Sequence, residues 1–138
     1  MIDLAAVVLL DPRGHLLLQL RDDKAPRFPN TWGLPGGHCE PGETPAAAAA
    51  RELWEETRLI ADTALQPFLR QELPSIDRVK HYFWGTTQAT ADDIVVGEGA
   101  AIIFVSPSQA LDGRPLTPGT GEALQHFLKF TRPSRPTP

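Results

Sequence analysis

The chain has 138 residues, 41% of them hydrophobic, and a net charge of −4, which predicts one soluble globular domain. No stretch approaches the roughly 18 apolar residues of a membrane span, and the acidic balance without a basic run argues against a nucleic-acid-binding surface. The N-terminus has no positively charged signal region, and the single cysteine, Cys39, suits a reducing compartment, so we expect a cytoplasmic protein.

The beginning of the chain predicts a β-hairpin followed by a functional loop. Residues 4–10 form a nearly continuous apolar run, which indicates a buried strand, and residues 15–20 predict its partner. Residues 11–14 have the chemistry of the turn between them. The polar segment 21–30 has a length at which loops often carry function. The paired glycines 36–37 then allow the backbone to approach a ligand closely.

The alanine-rich segment that follows has the signals of a helix. Thr44 is a residue type that caps helix N-termini, and Pro45 suits the first turn, where its missing N–H costs nothing. Near the other end, Glu52, Glu55 and Glu56 share one face, because residues i, i+3 and i+4 are neighbours on a helix. We expect these carboxylates to point away from the core. The opposite face, which we expect to be buried, comprises Ala46, Ala50, Leu53, Trp54 and Thr57.

The position of the glutamates requires a physical reason. A helix dipole disfavours anions near the C-terminus, and Glu52 and Glu56 repel each other at the i,i+4 spacing. A bound divalent cation resolves both conflicts, because Mg²⁺ coordinates a few carboxylates together with substrate phosphates. The alternative is a solvated helix face stabilised by a pair between Arg51 and Glu55. The glycine-rich approach to the helix favours the metal site.

The second half of the chain predicts further strands and two helical segments. The strands are predicted at 59–65, 68–73, 79–87 and 101–105, with a short apolar segment at 94–96, a helical turn at 106–111 and a last helix from Thr117-Pro118 to about residue 130. Helices would then cover both faces of a mixed sheet. We predict a single domain over residues 1–130 and a disordered proline-rich tail over residues 131–138.

Aromatic and basic residues outside the helix have two interpretations each. Arg21 is either a contact to a substrate phosphate or a surface charge, and the second is the more common case. Trp32 either packs in the interior or forms part of a pocket wall. Tyr82, Phe83 and Trp84 either stack on a base or belong to the core. Since alternate strand residues face opposite sides, these aromatics cannot all do the same.

The glycine-rich loop and the helix, residues 37–59, resemble the Nudix box of a family of hydrolases. Eight of its nine fixed positions are filled, by Gly37, Glu43, Arg51, Glu52, Leu53, Glu55, Glu56 and Leu59. Arg58 stands where the family has a glycine. A non-glycine residue there either adopts left-handed geometry at a cost of about 1 kcal/mol or the helix ends differently, so the exit geometry is open. A cation near a helix C-terminus is favourable and Arg58 is no metal ligand, so we expect the activity to be unchanged.

The resemblance implies an α+β fold, a Nudix-like α/β/α sandwich around a central mixed β-sheet. It also implies a metal-dependent pyrophosphohydrolase that cleaves a nucleoside diphosphate linked to another group, with Mg²⁺ or Mn²⁺ as cofactor. The implied site residues are Glu52, Glu55 and Glu56 as metal ligands, Gly37 through its backbone, and Arg51 paired with Glu43 to hold helix and loop.

The general base stays open between a glutamate of the box and a carboxylate outside it. Glu98 is the candidate outside the box, because it lies between two glycines just before a predicted strand. An ordinary exposed turn residue is an equally good interpretation of Glu98. The apolar first strand and the terminal helix could each face a second copy, so a homodimer is also left open.

The substrate is open as well. The compact chain resembles family members that act on nucleoside triphosphates, including oxidised ones. Pro74 lies fifteen residues after the box, a spacing associated with ADP-ribose pyrophosphatases, so ADP-ribose or a nucleotide sugar is the alternative. A non-catalytic nucleotide-binding module is a further alternative, but such modules often lose box carboxylates and this chain keeps them. A prenyl diphosphate isomerase finds no support outside the box.

Overall fold

A mixed seven-stranded β-sheet forms the centre of the molecule in the computed structural model, which describes residues 1–96 and 99–130. The strands are β1 (Ile2–Leu10), β2 (Leu16–Leu20), β3 (Trp32–Gly33), β4 (Gly36–His38), β5 (Gln66–Leu73), β6 (Arg78–Thr86) and β7 (Ala101–Val105). β1 is central, because it runs parallel to β6 and antiparallel to β2 and β4. β5 lies beyond β6, and β3 and β7 both pair with β2. The predicted mixed sheet is confirmed.

Different helices cover the two faces of this sheet: α1 (Pro45–Thr57) on one side, and α2 (Pro107–Ala110) with α3 (Thr120–Phe130) on the other. Neighbouring residues of β1 show the division, because Val7 packs with Leu53 of α1, whereas Val8 packs with Leu124 and Phe127 of α3. This alternation follows from the two-residue period of a strand. The predicted α/β/α sandwich is confirmed.

The central helix begins and ends with recognisable caps. The Thr44 hydroxyl accepts a hydrogen bond from the Ala47 N–H at 3.2 Å, and Pro45 is the first helical residue, as predicted. At the other end, Arg58 adopts left-handed geometry with φ of 60°, and its N–H donates to the Trp54 carbonyl at 2.9 Å. Arg58 therefore takes the conformation that a glycine adopts most easily, and its guanidinium covers the Trp54 ring at 5.4 Å.

The predicted buried face of α1 is wrong in part. Leu53 and Thr57 are buried, but Ala46, Ala50 and Trp54 are exposed. Ala48, Ala49 and Glu56 are buried instead. The physical reason is that α1 packs on β4 as well as β1, and the contact with β4 turns the glutamate side of the helix toward the sheet. The carboxylates therefore do not all point away from the core.

One further segment differs from the prediction. Residues 59–65 form no strand and cross the end of β6, where Leu65 packs against Gly85. The short apolar segment 94–96 is held by the Val95 N–H, which donates to the Thr57 carbonyl. The hairpin of β1 and β2 is paired next to its turn, at Leu10 and Leu16, and β2 then pairs with β7.

The last helix starts at Thr120, not directly after Pro118. Gly119 has φ of 82°, which breaks the helical path, and the backbone of Thr117 bonds to β3 instead. The predicted tail, residues 131–138, lies outside the described residues. No helix in the described ranges is long and apolar enough to cross a membrane.

Candidate active site

A cavity of about 920 Å³ opens beside the C-terminal half of α1. Its walls come from α1, β4, the loop over residues 21–28, the cavity-facing side of β6 and the turn at residues 117–120. Strands and turns that are far apart in the chain therefore meet here, which is typical of a ligand-binding cleft.

The predicted metal ligands all lie in the wall of this cavity. They differ in exposure: the side chain of Glu55 is 52% exposed and that of Glu52 17%, whereas Glu56 as a residue is only 6% exposed. A buried carboxylate is unusual unless it is paired or coordinates a metal. Glu56 is therefore the most buried of the three carboxylates that we predict as metal ligands.

Arg51 connects the helix to the preceding loop. Its guanidinium donates to both oxygens of Glu43, at 2.8 Å from Nε and 2.9 Å from the terminal nitrogen, and to the His38 carbonyl at 3.0 Å. The other terminal nitrogen donates to Glu52 at 3.0 Å and Glu55 at 3.2 Å. A planar bidentate contact of this kind fixes orientation as well as charge, so Arg51 positions the loop and the first carboxylate.

This pairing changes the acid–base properties of both partners. The hydrogen bonds from Arg51, and then the N–H of Glu40, lower the pKa of Glu43 from its ordinary value of 4.5 to about 2. The same contact raises the pKa of Arg51 above its ordinary range. Both groups are therefore charged throughout the range in which a hydrolase would work.

We expect the pairing to make stability depend on pH in the acid range. Because the folded-state pKa of Glu43 is depressed, its contribution is present above pH 4.5 and is lost as pH falls toward 2. The difference in free energy of unfolding between wild type and Glu43→Gln should therefore narrow from pH 6 to pH 2.5, measured by urea denaturation. Glu72→Gln, on the exposed side of β5, is the control. A difference that stayed constant across this range would contradict the assignment.

Gly37 provides the surface against which one carboxylate lies. A Cβ at this position would be 2.6 Å from the carboxyl carbon of Glu52, which is closer than real Cβ contacts. The bare backbone of β4 therefore forms a cradle for the Glu52 side chain. The cradle and the three glutamates together offer oxygen donors, the ligand type that Mg²⁺ and Mn²⁺ prefer.

The residues thus fit a hard divalent cation by their chemistry. Within residues 1–96 and 99–130, no group of three or more His, Cys, Asp or Glu side chains is already gathered as a metal cluster. Glu52 and Glu55 both accept hydrogen bonds from Arg51 instead.

The remaining predicted site residues separate into three cases. Arg21 lines the cavity, and its Nε donates to the Arg27 carbonyl at 2.8 Å. Trp32 does not line it: β3 holds this residue beside β2, and the guanidinium of Arg114 covers its ring at 4.8 Å. This contact is consistent with the packing interpretation of Trp32, and its role in substrate binding stays a prediction. Glu98 lies outside the described residues.

The structure adds two cavity residues that the sequence interpretation missed, Arg78 and Lys80. They alternate along β6 with Tyr82, for which the sequence left two interpretations, and all three line the cavity. The Lys80 ammonium donates to the Pro118 carbonyl at 2.7 Å. Burial, and then the charge of Arg21, lower the pKa of Lys80 to about 8. The period-two spacing of these residues was visible in the sequence, but the surface that they face was not.

Sequence comparisons identify the family to which the chain is related. A family model described as the NUDIX domain matches residues 3–127. A Bacillus subtilis protein named putative 8-oxo-dGTP diphosphatase is 34% identical over 108 residues, covering 76% of this chain and 66% of that protein. Nucleoside triphosphatase NudI of Enterobacter is 40% identical over 77 residues, covering 54% of this chain and 51% of that protein. The matches thus span less than two thirds of either relative.

Solved structures reproduce the fold. The MutT protein of Methanosarcina mazei superposes with a TM-score of 0.79 at 22% identity, covering 96% of each chain. The ORF135 protein of Escherichia coli gives a TM-score of 0.71 at 26% identity, covering 100% of this chain and 95% of the other. Because the family model spans nearly the entire described chain and the sandwich recurs in these structures, the chain belongs to the Nudix family.

Proposed function

We propose that this chain is a metal-dependent pyrophosphohydrolase that acts on a nucleoside triphosphate, including an oxidised one. The observation that carries the proposal is the division of charge in the cavity. Glutamates lie at the α1 end, and the other walls contain the cations Arg21, Lys24, Arg27 and Arg78 together with one carboxylate, Asp22. Among the described residues, none of these four cations lies within 4.0 Å of a carboxylate oxygen.

A polyphosphate matches this division of charge. Cations bind phosphate oxygens directly, whereas carboxylates can hold phosphate only through a divalent metal between them. A ligand with one phosphate bound directly and others bound through a metal would use both parts of the cavity. The proposal therefore requires Mg²⁺ or Mn²⁺ at the glutamates.

The reaction that fits is hydrolysis of a phosphoric anhydride. When bound, the cation would neutralise phosphate charge and lower the pKa of the attacking water. Glu52, Glu55 and Glu56 would hold it, and Arg51 keeps Glu52 oriented. Water attacks a phosphorus atom, the anhydride bond breaks, and a carboxylate takes the proton of the water. A box glutamate or Glu98 is proposed for that last role.

Two further points support an enzyme that acts on triphosphates. The names of the two curated relatives refer to an 8-oxo-dGTP diphosphatase and a nucleoside triphosphatase. A module that only binds nucleotides has no need of a buried glutamate beside two others, and this chain retains all three in one cavity wall.

The test is a hydrolysis screen with Mg²⁺ and with Mn²⁺. The panel contains nucleoside triphosphates, oxidised nucleotides, nucleotide sugars, ADP-ribose and dinucleoside polyphosphates. We expect the highest kcat/KM with a triphosphate, no turnover in excess EDTA, and recovery when the metal is restored. Preferred hydrolysis of ADP-ribose or a nucleotide sugar would replace the substrate assignment, and binding without turnover across the panel would overturn the enzyme assignment.

A further inference from the structure

The cavity has an apolar floor on the side of the sheet that α3 covers. Leu4 and Ala6 of β1 form part of it, and Leu34 lies beside them. In the parallel pairing of β1 with β6, Lys80 lies beside Leu4, and Tyr82 lies beside Ala6. Paired residues in a sheet face the same side, so the Lys80 side chain borders this floor.

The floor and the glutamates belong to different faces of the sheet. Ala5 packs in the cluster under α1, whereas Ala6 packs with Ala123 of α3. A substrate whose phosphates lie at the glutamates of α1 therefore reaches the floor with its nucleoside part. The apolar residues of the floor suit contact with the face of a base.

Lys80 offers unused hydrogen-bond donors at the edge of the floor. An ammonium group has three N–H donors, and one is bound to the Pro118 carbonyl at 2.7 Å. The part of the chain that the structure describes places no carboxylate within 4.0 Å of its nitrogen. The contact to Pro118 thus anchors the side chain and leaves donors for a ligand.

The turn that anchors Lys80 is itself fixed by a hydrogen-bonded chain. The Tyr82 hydroxyl donates to the Gln71 side-chain oxygen at 2.8 Å, and the Gln71 nitrogen donates to the Gly119 carbonyl at 3.1 Å. A Cβ at Gly119 would collide with Gln71, so the turn and the sheet are in close contact. The Lys80 ammonium is therefore held in place before a ligand arrives, which lowers the entropic cost of binding.

We propose that Lys80 is a specificity-determining residue that donates a hydrogen bond to a carbonyl oxygen of the nucleobase. This inference rests on the proposed function, because it takes the substrate to be a nucleotide. Guanine O6 and thymine O4 occupy equivalent positions on the base edge, where adenine and cytosine have an amino group that cannot accept a hydrogen bond from lysine. A site built to bind a group discriminates against a ligand that lacks it, because the buried donors then remain unpaired.

The test compares Lys80→Met with wild type on dGTP, dTTP, dCTP and dATP. We expect KM for dGTP and dTTP to rise about 10-fold or more, with KM for dATP and dCTP changed less than about twofold and kcat retained. Lys129→Met, on the exposed end of α3 outside the cavity, is the control and should match wild type. Lys80→Arg keeps the charge and donors and should recover part of the loss.

Equal losses on all four nucleotides would overturn the proposal and assign Lys80 to a group that they share, such as a phosphate. Unchanged KM on all four nucleotides would also overturn the proposal, because Lys80 would then only hold the turn at Pro118 and would not contact the base. Calorimetric binding of dGMP and dAMP without divalent metal is measured in parallel. If wild type binds dGMP more tightly than dAMP, and Lys80→Met removes that preference, the inference stands even if no triphosphate is hydrolysed.

Discussion

Glu56→Gln is expected to lower kcat by about 10³-fold while leaving the protein folded. Glutamine has nearly the same shape, so the packing at the end of α1 is kept, but one anionic oxygen of the cation site is lost. A bound cation contributes several kcal/mol to stabilising the charge of the transition state. A loss of about 4 kcal/mol of that stabilisation corresponds to a roughly 10³-fold lower rate. Steady-state hydrolysis of the best substrate in saturating Mg²⁺ is the measurement.

The same change should leave the protein folded. Glu56 is 6% exposed, and glutamine keeps the volume of its buried side chain, so urea denaturation should still show one cooperative transition. A loss of activity in a protein that is still folded separates a catalytic role from misfolding.

Glu72→Gln is the matched control for Glu56→Gln. Glu72 is an exposed residue of β5 outside the cavity, and its salt bridge to Arg70 is at the surface. We expect unchanged kcat for this variant. A Glu56→Gln protein that retained more than about a tenth of wild-type turnover would contradict the assignment of Glu56 to the metal site.

Gly37→Ala is the second large effect that we expect, with kcat lowered by about 10²-fold. The added Cβ would lie 2.6 Å from the carboxyl carbon of Glu52, so this carboxylate has to leave its cradle on β4. A displacement of about 1 Å in a catalytic group costs about this much. Hydrolysis kinetics and urea denaturation of the variant provide the measurement.

The double variant Gly37→Ala with Glu52→Gln tests the cause. Both changes act on the same carboxylate, so the double variant should lose no more activity than Glu52→Gln alone. Additive losses would mean that Gly37 acts by a route other than Glu52. Gly121→Ala is the control, because its Cβ would meet Leu116 at an ordinary 3.5 Å and it lies in a helix, where alanine is tolerated.

The charge and shape of the functional helix could be predicted from sequence because they depend on near neighbours. The Thr44 cap, the proline start and the i, i+3, i+4 placement of the glutamates are local properties of one segment. The pairing of Arg51 with Glu43 was also predicted, through the family resemblance, and the structure contains it.

The rotation of that helix was predicted less well. Its two sides are both rich in alanine, so the hydrophobic pattern of the segment alone distinguishes them poorly. Contact with β4 decides between them, and this contact buries Glu56 and exposes Trp54. The strand assignment of residues 59–65 failed for a related reason, because apolar residues there pack across the end of β6 without joining its ladder.

The sequence by itself determined which carboxylates lie together on one helix, and the tertiary structure decided which residues form the cavity wall opposite them. The box spacing places carboxylates on one helix, and helix geometry is set by residues within a few positions of each other. The cavity wall that contains Lys80 depends on the parallel pairing between β1 and β6, whose paired residues are more than seventy positions apart in the chain. It also depends on the turn at Pro118, which accepts a hydrogen bond from Lys80. No local pattern encodes such long-range contacts, so Lys80 emerged as a cavity residue only when the sheet was assembled.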